Sequence, residues 1–233
     1  MGKLFLKGMY HGIPIALGYL SVSFGFGIMA VKAGLSILAA VGISVTNLTS
    51  AGQAAGVTII AAGGTLIEMA LTQFVINIRY ALMGLSLSQK LDNTFTTPKR
   101  LIASFGITDE IFAVASSQPG RLSPWYMYGL IAIAFVGWSG GTLLGAAAGQ
   151  FLPQDITDAM GIVLYGMFLA IIIPPAKKHR SVLVVVIIAA LFSVLFKYLL
   201  TMVSGGFAVI ISAVAASAAG AFLFPVPEEE ESQ

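Results

Sequence analysis

The sequence predicts an all-α polytopic membrane protein, a single transmembrane domain over residues 1–233 with about eight hydrophobic helical segments. Three observations carry this reading. First, 58% of the residues are hydrophobic and only 9% charged, where a soluble domain carries about 25% charged residues. Second, mean hydropathy is +0.94. A soluble chain this short has no way to hide so much apolar surface, whereas a bilayer core needs no polar covering. Third, the apolar residues gather into runs close to the roughly 20 residues that cross a bilayer as helix. None alternates like a porin strand. In lipid each backbone group has to bond within its own segment, so helices remain.

The runs are 13–31, 36–62, 65–88, 102–118, 124–151, 156–174, 181–199 and 206–224, followed by an acidic tail at 225–233. The basic start MGKLFLKGMYHG leads into the first run without a small-residue cleavage site, so it reads as the first transmembrane helix rather than a signal peptide. Two runs carry polar interruptions. Thr46-Asn47-Leu48-Thr49-Ser50-Ala51-Gly52-Gln53 divides 36–62, and Gly137-Trp138-Ser139-Gly140-Gly141-Thr142 divides 124–151. Gly, Ser, Thr and Asn offer the backbone alternatives to helix. In lipid such breaks are tolerated where they are buried in protein or line a cavity.

The two interrupted runs begin alike, at Gly34-Leu35-Ser36 and Arg121-Leu122-Ser123, and each has an apolar run on either side. That pattern predicts a 3+3 inverted repeat, residues 8–88 and 98–175, followed by two C-terminal helices within 181–224. Charge sets the orientation. Lys3 and Lys7, and the cluster Lys177, Lys178 and Arg180, read as cytoplasmic. Eight full spans then put Lys90, Lys99 and Arg100 outside, against the positive-inside rule. Re-entrant segments at 36–62 and 102–118 would return them to the cytoplasm. Eight segments are the preferred reading, without all of them being required to span.

Several function classes fall away. The chain has no cysteine, hence no disulfide and no Cys-type zinc site. His11 and His179 are far apart, and no metal site or cofactor is expected. A net charge of +2 gives no footprint for nucleic acid. No phosphate loop, HExxH or GxSxG is present, and no nucleophile–base pair marks an enzyme.

Ionisable residues inside spans are costly and therefore mark sites. Glu68 and Arg79 share a face of the third run but lie about three turns apart, too far to pair along one helix. Asp109 and Glu110 follow Gly106-Ile107-Thr108, where Thr108 or Asp109 can cap a half-helix. Adjacent on a helix, these two acids point about 100° apart and are not expected to face one cavity. Glu68, Asp109 and Glu110 are the candidates for ion coupling. Arg79, Asn77, Asn47 and Gln53, with Ser139 and Thr142, are the candidates for substrate binding or gating. Helix-packing contacts are the competing reading of the amide and hydroxyl groups. Lys197 can snorkel to the interface.

Three stretches share a further property. Gly12-Ile13-Pro14-Ile15-Ala16-Leu17-Gly18-Tyr19, the run Thr72 to Tyr80 (TQFVINIRY), and Phe105-Gly106-Ile107-Thr108-Asp109-Glu110-Ile111-Phe112-Ala113 together resemble the AzlC family of branched-chain amino-acid exporters. The likeness covers roughly residues 8–200. It implies export of leucine, isoleucine, valine and sometimes methionine across a prokaryotic cytoplasmic membrane. It also implies a small companion membrane subunit of the AzlD type. One departure stands out: Gln53 is followed by Ala54, where the family often carries an aromatic residue. The expected function is thus a secondary transporter for apolar amino acids in the lipid bilayer. The alternatives are a channel or permease for another small solute and a non-transporting scaffold subunit.

Overall fold

The computed structural model describes residues 1–149, 151–153, 155, 166, 169 and 172–225. The expected segment 156–174 and the acidic tail therefore lie almost wholly outside the described residues. Among them, nine named helices occur: α1 (Gly2–Lys32), α2 (Ile37–Thr46), α3 (Ser50–Ala61), α4 (Leu66–Ser88), α5 (Thr97–Phe105), α6 (Asp109–Ser117), α7 (Pro124–Ala148), α8 (Arg180–Tyr198) and α9 (Gly205–Leu223). Five of these, α1, α4, α7, α8 and α9, are long and apolar enough to cross a membrane. No sheet forms among the described residues, where a lone bridge joins Leu91 and Leu122.

The centre of the fold is the pair α1 and α7. Gly8 packs on Tyr126, Gly12 on Leu130, Gly137 on Ala16, Gly141 on Leu20 and Gly145 on Phe24. Both series rise together, so the helices run parallel. Each glycine meets backbone across the interface, as small residues do where membrane helices approach closely. This corrects the expected break at Gly137–Thr142: α7 is continuous through it. Its glycines keep their intrahelical bonds and serve the packing with α1.

The break in 36–62 does occur. α2 stops at Thr46, Asn47 and Thr49 take extended backbone, and Thr49 Oγ1 accepts from Gly52 N at 3.3 Å to cap α3. A second break falls instead within 102–118, at Gly106-Ile107-Thr108, where Thr108 Oγ1 caps α6 through Ile111 N at 3.3 Å.

Both broken segments are hairpins. Gln53 Nε2 of α3 donates to Ser44 Oγ of α2 at 2.8 Å, and Ala40 and Val57 join one apolar cluster with Phe26 and Ala30. The two arms thus run antiparallel. In the second hairpin the ends meet directly: Asp92 N donates to Leu122 O at 2.9 Å and Leu122 N to Lys90 O at 2.8 Å. Arms of 9 residues reach about 14 Å, half a bilayer core. Each hairpin therefore enters and leaves at one end of the bundle.

These half-length arms fit the re-entrant reading of 36–62 and 102–118 better than eight full spans, and they satisfy the charge pattern. The start of α7 lies beside the start of α1, so Lys3, Lys7, Lys90, Lys99, Arg100 and Arg121 share one end. α9 starts beside Glu68 at the opposite end and runs antiparallel to α8, where Gly220 meets Val185. That brings Arg180, with Lys177 and Lys178 just before it, to the basic end. Of the twelve Lys and Arg, only Lys32 and Lys197 lie at the other end, with Arg79 between. The positive-inside rule assigns the basic end to the cytoplasm.

Candidate functional site

The tips of the two hairpins meet in the middle of the bundle and enclose a cavity of about 230 Å³. Leu48, Ser50 and Ala51 line it from the first hairpin, and Thr108, Asp109 and Glu110 from the second. Ile76, Arg79 and Tyr80 of α4, Tyr19 of α1, Trp138 of α7 and Ile172 complete the wall.

Its electrostatics are two-sided. The first N–H groups of any helix have no partner within it and carry partial positive charge. At α3 these belong to Ser50 and Ala51, and no acid occupies that first turn. At α6 the first turn holds two acids, Asp109 and Glu110. Arg79 pairs with the acidic pole: Nη1 lies 2.7 Å from Asp109 Oδ1 and 2.5 Å from Oδ2, and the guanidinium lies over the Tyr80 ring at 5.0 Å. Glu110 Oε2 lies 2.5 Å from the Tyr19 hydroxyl, which also lies 2.5 Å from Thr108 Oγ1.

The structure brings together three of the residues singled out in the sequence, Arg79, Asp109 and Glu110. Contrary to expectation, both acids face the same cavity. At the first turn of a half-helix that ends in open space, side chains 100° apart still border that space.

The other sequence-picked residues sit around it. Asn77 Oδ1 accepts from Thr49 Oγ1 at 2.8 Å and its amide donates to Gln73 Oε1 at 3.1 Å, so it braces the first break from α4. Asn47 terminates α2 within that break. Gln53 and Thr142 are buried in a separate chain of hydrogen bonds. Trp138 Nε1 donates to Gln53 Oε1 at 2.9 Å, and Ser44 Oγ links Gln53 to Thr142 Oγ1 at 2.8 and 2.7 Å. That chain fixes Trp138 against the cavity without lining it. Ser139 Oγ is buried with no hydrogen-bond partner among the described residues.

Glu68 lies elsewhere. Its Oε1 accepts from Ser204 Oγ at 2.5 Å and Gly206 N at 2.9 Å, which caps the start of α9. Sequence reasoning passed over Tyr19, Tyr80 and Trp138, because an aromatic in an apolar run looks like lipid-facing surface. The signal was their placement beside the breaks and the charged residues.

Fold and cavity define a multi-pass helical membrane protein with a polar site at the meeting point of two half-span hairpins. Residues 14–152 match the family described as AzlC protein. The inner membrane protein YgaZ of Escherichia coli is 32% identical over 184 residues, 76% of this chain and 75% of that protein. An uncharacterized membrane protein of Archaeoglobus fulgidus is 30% identical over 178 residues, covering 75% and 77%. One from Helicobacter pylori is 25% identical over 179 residues, covering 76% and 77%. No solved structure matches the chain. The chain belongs to the AzlC family and is a multi-pass protein of the cytoplasmic membrane.

Proposed function

We propose that this chain is a secondary transporter that exports branched-chain or similarly apolar amino acids, driven by an ion gradient. The observation that carries this is the two-sided cavity between the hairpin tips. A zwitterion needs a positive pole for its carboxylate and a negative pole for its ammonium. The α3 amides of Ser50 and Ala51 supply the first, and Glu110 the second. Leu48, Ile76, Trp138 and Ile172 give the aliphatic side chain an apolar wall. At about 230 Å³ the cavity is smaller than the roughly 300–1,000 Å³ of drug-sized sites, which suits a solute of a few heavy atoms. Arg79 holds Asp109 of α6 to α4 as a gate. Membership of the AzlC family supports the branched-chain class of substrate.

Two further elements belong to this reading. The hairpins enter from opposite ends, each followed by a long helix, which supports an inverted relation between the two hairpin–helix units. The duplication expected over 8–88 and 98–175 would then have shifted bounds, because the hairpin comes second in the first stretch and first in the second. The small AzlD-type subunit would pack on the lipid-facing helices.

The test is efflux of labelled leucine from loaded membrane vesicles, with and without the small subunit. Efflux above vector-only vesicles is expected, together with counterflow: labelled leucine outside should enter faster when unlabelled leucine is inside. Efflux without counterflow would make the protein a channel. No movement with either subunit composition would leave only the scaffold reading.

A further inference from the structure

We propose that Glu110, and not Asp109, carries the coupling proton, with Tyr19 and Thr108 as hydrogen-bond partners that serve both of its protonation states. This rests on the transport reading above and assigns separate duties to two acids that the sequence leaves equivalent.

The difference lies in what each acid touches. Asp109 is bound to Arg79, whose guanidinium has donors only and keeps its charge. A proton on Asp109 would break this charge-assisted pair and leave the guanidinium without its anionic partner. Glu110 meets a hydroxyl. The Tyr19 oxygen lies 2.5 Å from Glu110 Oε2 and 2.5 Å from Thr108 Oγ1. One phenol proton cannot serve both contacts, so the chain has a direction, and hydroxyls can reverse it because each is donor and acceptor.

With Glu110 ionised, Thr108 donates to the Tyr19 oxygen and Tyr19 donates to the carboxylate. With Glu110 protonated, its O–H donates to the Tyr19 oxygen and Tyr19 donates to Thr108. The heavy atoms stay where they are in both states. Among the described residues, the remaining titratable or charged groups facing Glu110 are Arg79 and Tyr80 from α4 and Asp109 beside it. α7 presents Trp138 there, which does not titrate.

The cycle then balances. On the outer side, once the amino acid has left, Glu110 takes one proton from water onto Oε2. On the cytoplasmic side, an arriving α-ammonium takes its place at the carboxylate, and the proton passes to cytoplasmic water. One proton enters for each amino acid exported, and only this O–H bond forms and breaks. Because proton and ammonium compete for one group, neither state returns empty.

The experiment uses membrane vesicles from cells producing the full chain, loaded with labelled leucine, with amounts normalised by immunoblot. Two quantities are read: leucine–leucine exchange without a gradient, and acceleration of efflux by an imposed pH gradient, acid outside. Glu110→Gln removes the ammonium's anionic partner together with the proton site, so it is expected to raise the leucine concentration needed for half-maximal exchange, to lose the acceleration, and to lose the slowing of exchange at low pH. Tyr19→Phe removes one oxygen and is expected to lose the acceleration while exchange continues. Asp109→Asn should lower both readouts in proportion. Retained acceleration in Glu110→Gln, or acceleration lost selectively in Asp109→Asn, overturns the assignment. If Glu110→Gln does not accumulate, Tyr19→Phe decides: acceleration equal to wild type overturns it. A wild type that moves no leucine removes the transport reading, and this inference with it.

Discussion

Gly145 meets the Phe24 carbonyl oxygen so closely that no Cβ fits between them. The same holds at Gly129 against Phe5 and at Gly137 against Ala16. A methyl group at such a contact has to push two parallel helices apart, because the atom it meets is backbone and cannot rotate away. Overpacking of this kind costs about 1–3 kcal/mol. Gly140, one turn away on the same helix, has open space around its would-be Cβ. There alanine only improves helix propensity, by up to about 1 kcal/mol. We therefore expect Gly145→Ala to lower the melting temperature in detergent and the yield of monodisperse protein, while Gly140→Ala leaves both unchanged or higher. Equal behaviour of the two variants would mean that α1 and α7 are not in backbone contact.

At the scale of elements, the breaks show what an apolar sequence discloses. The first was legible because Thr46, Asn47, Thr49 and Ser50 form a polar cluster in which every residue can cap and none strongly favours helix. The second hid in a run that looked long enough to span, since Gly106-Ile107-Thr108 presents a single glycine and a cap. The Gly137–Thr142 stretch misled for the opposite reason. Glycine loosens a helix in isolation but admits a neighbour when one is present, and the neighbour, α1, is over a hundred positions away in the chain. Of the site, Arg79, Asp109 and Glu110 stood out as charges in apolar segments, while Glu68 stood out for the same reason and serves an element instead. It satisfies the exposed start of α9 through Ser204 and Gly206. Without Glu68 the buried Gly206 amide loses its acceptor. Glu68→Ala should therefore lower thermal stability and loosen α9 towards protease, while leucine exchange and its response to a pH gradient, per folded molecule, stay as in the wild type. A Glu68→Ala protein of normal stability that no longer responds to the gradient would return Glu68 to the coupling pathway.

The whole molecule makes a prediction about sides that separates two topologies sharply. With hairpins at α2–α3 and α5–α6, the chain crosses outward in α1, back in α4 and outward again in α7. The turn at Ala62 then lies outside and the loop at Asn93 lies in the cytoplasm. With eight full spans the same two positions exchange sides. Pro119 is cytoplasmic and Met202 external under both schemes, so these two serve as internal standards. The absence of cysteine from the sequence makes the experiment direct, because any introduced thiol is the only one. Asn93, Pro119 and Ala62 are exposed, and Met202 is fully so. In intact cells, a membrane-impermeant maleimide should label Ala62→Cys and Met202→Cys and leave Asn93→Cys and Pro119→Cys unmodified until the membrane is opened. The physical warrant is twofold: the loop at Asn93 is tied to Leu122 by backbone hydrogen bonds, and it carries Lys90, Lys99 and Arg100, which translocation disfavours. Labelling of Asn93→Cys from outside, with Ala62→Cys protected, would restore eight spans. It would place the α6 acids on a continuous crossing helix and dissolve the meeting of half-helix ends on which the cavity depends.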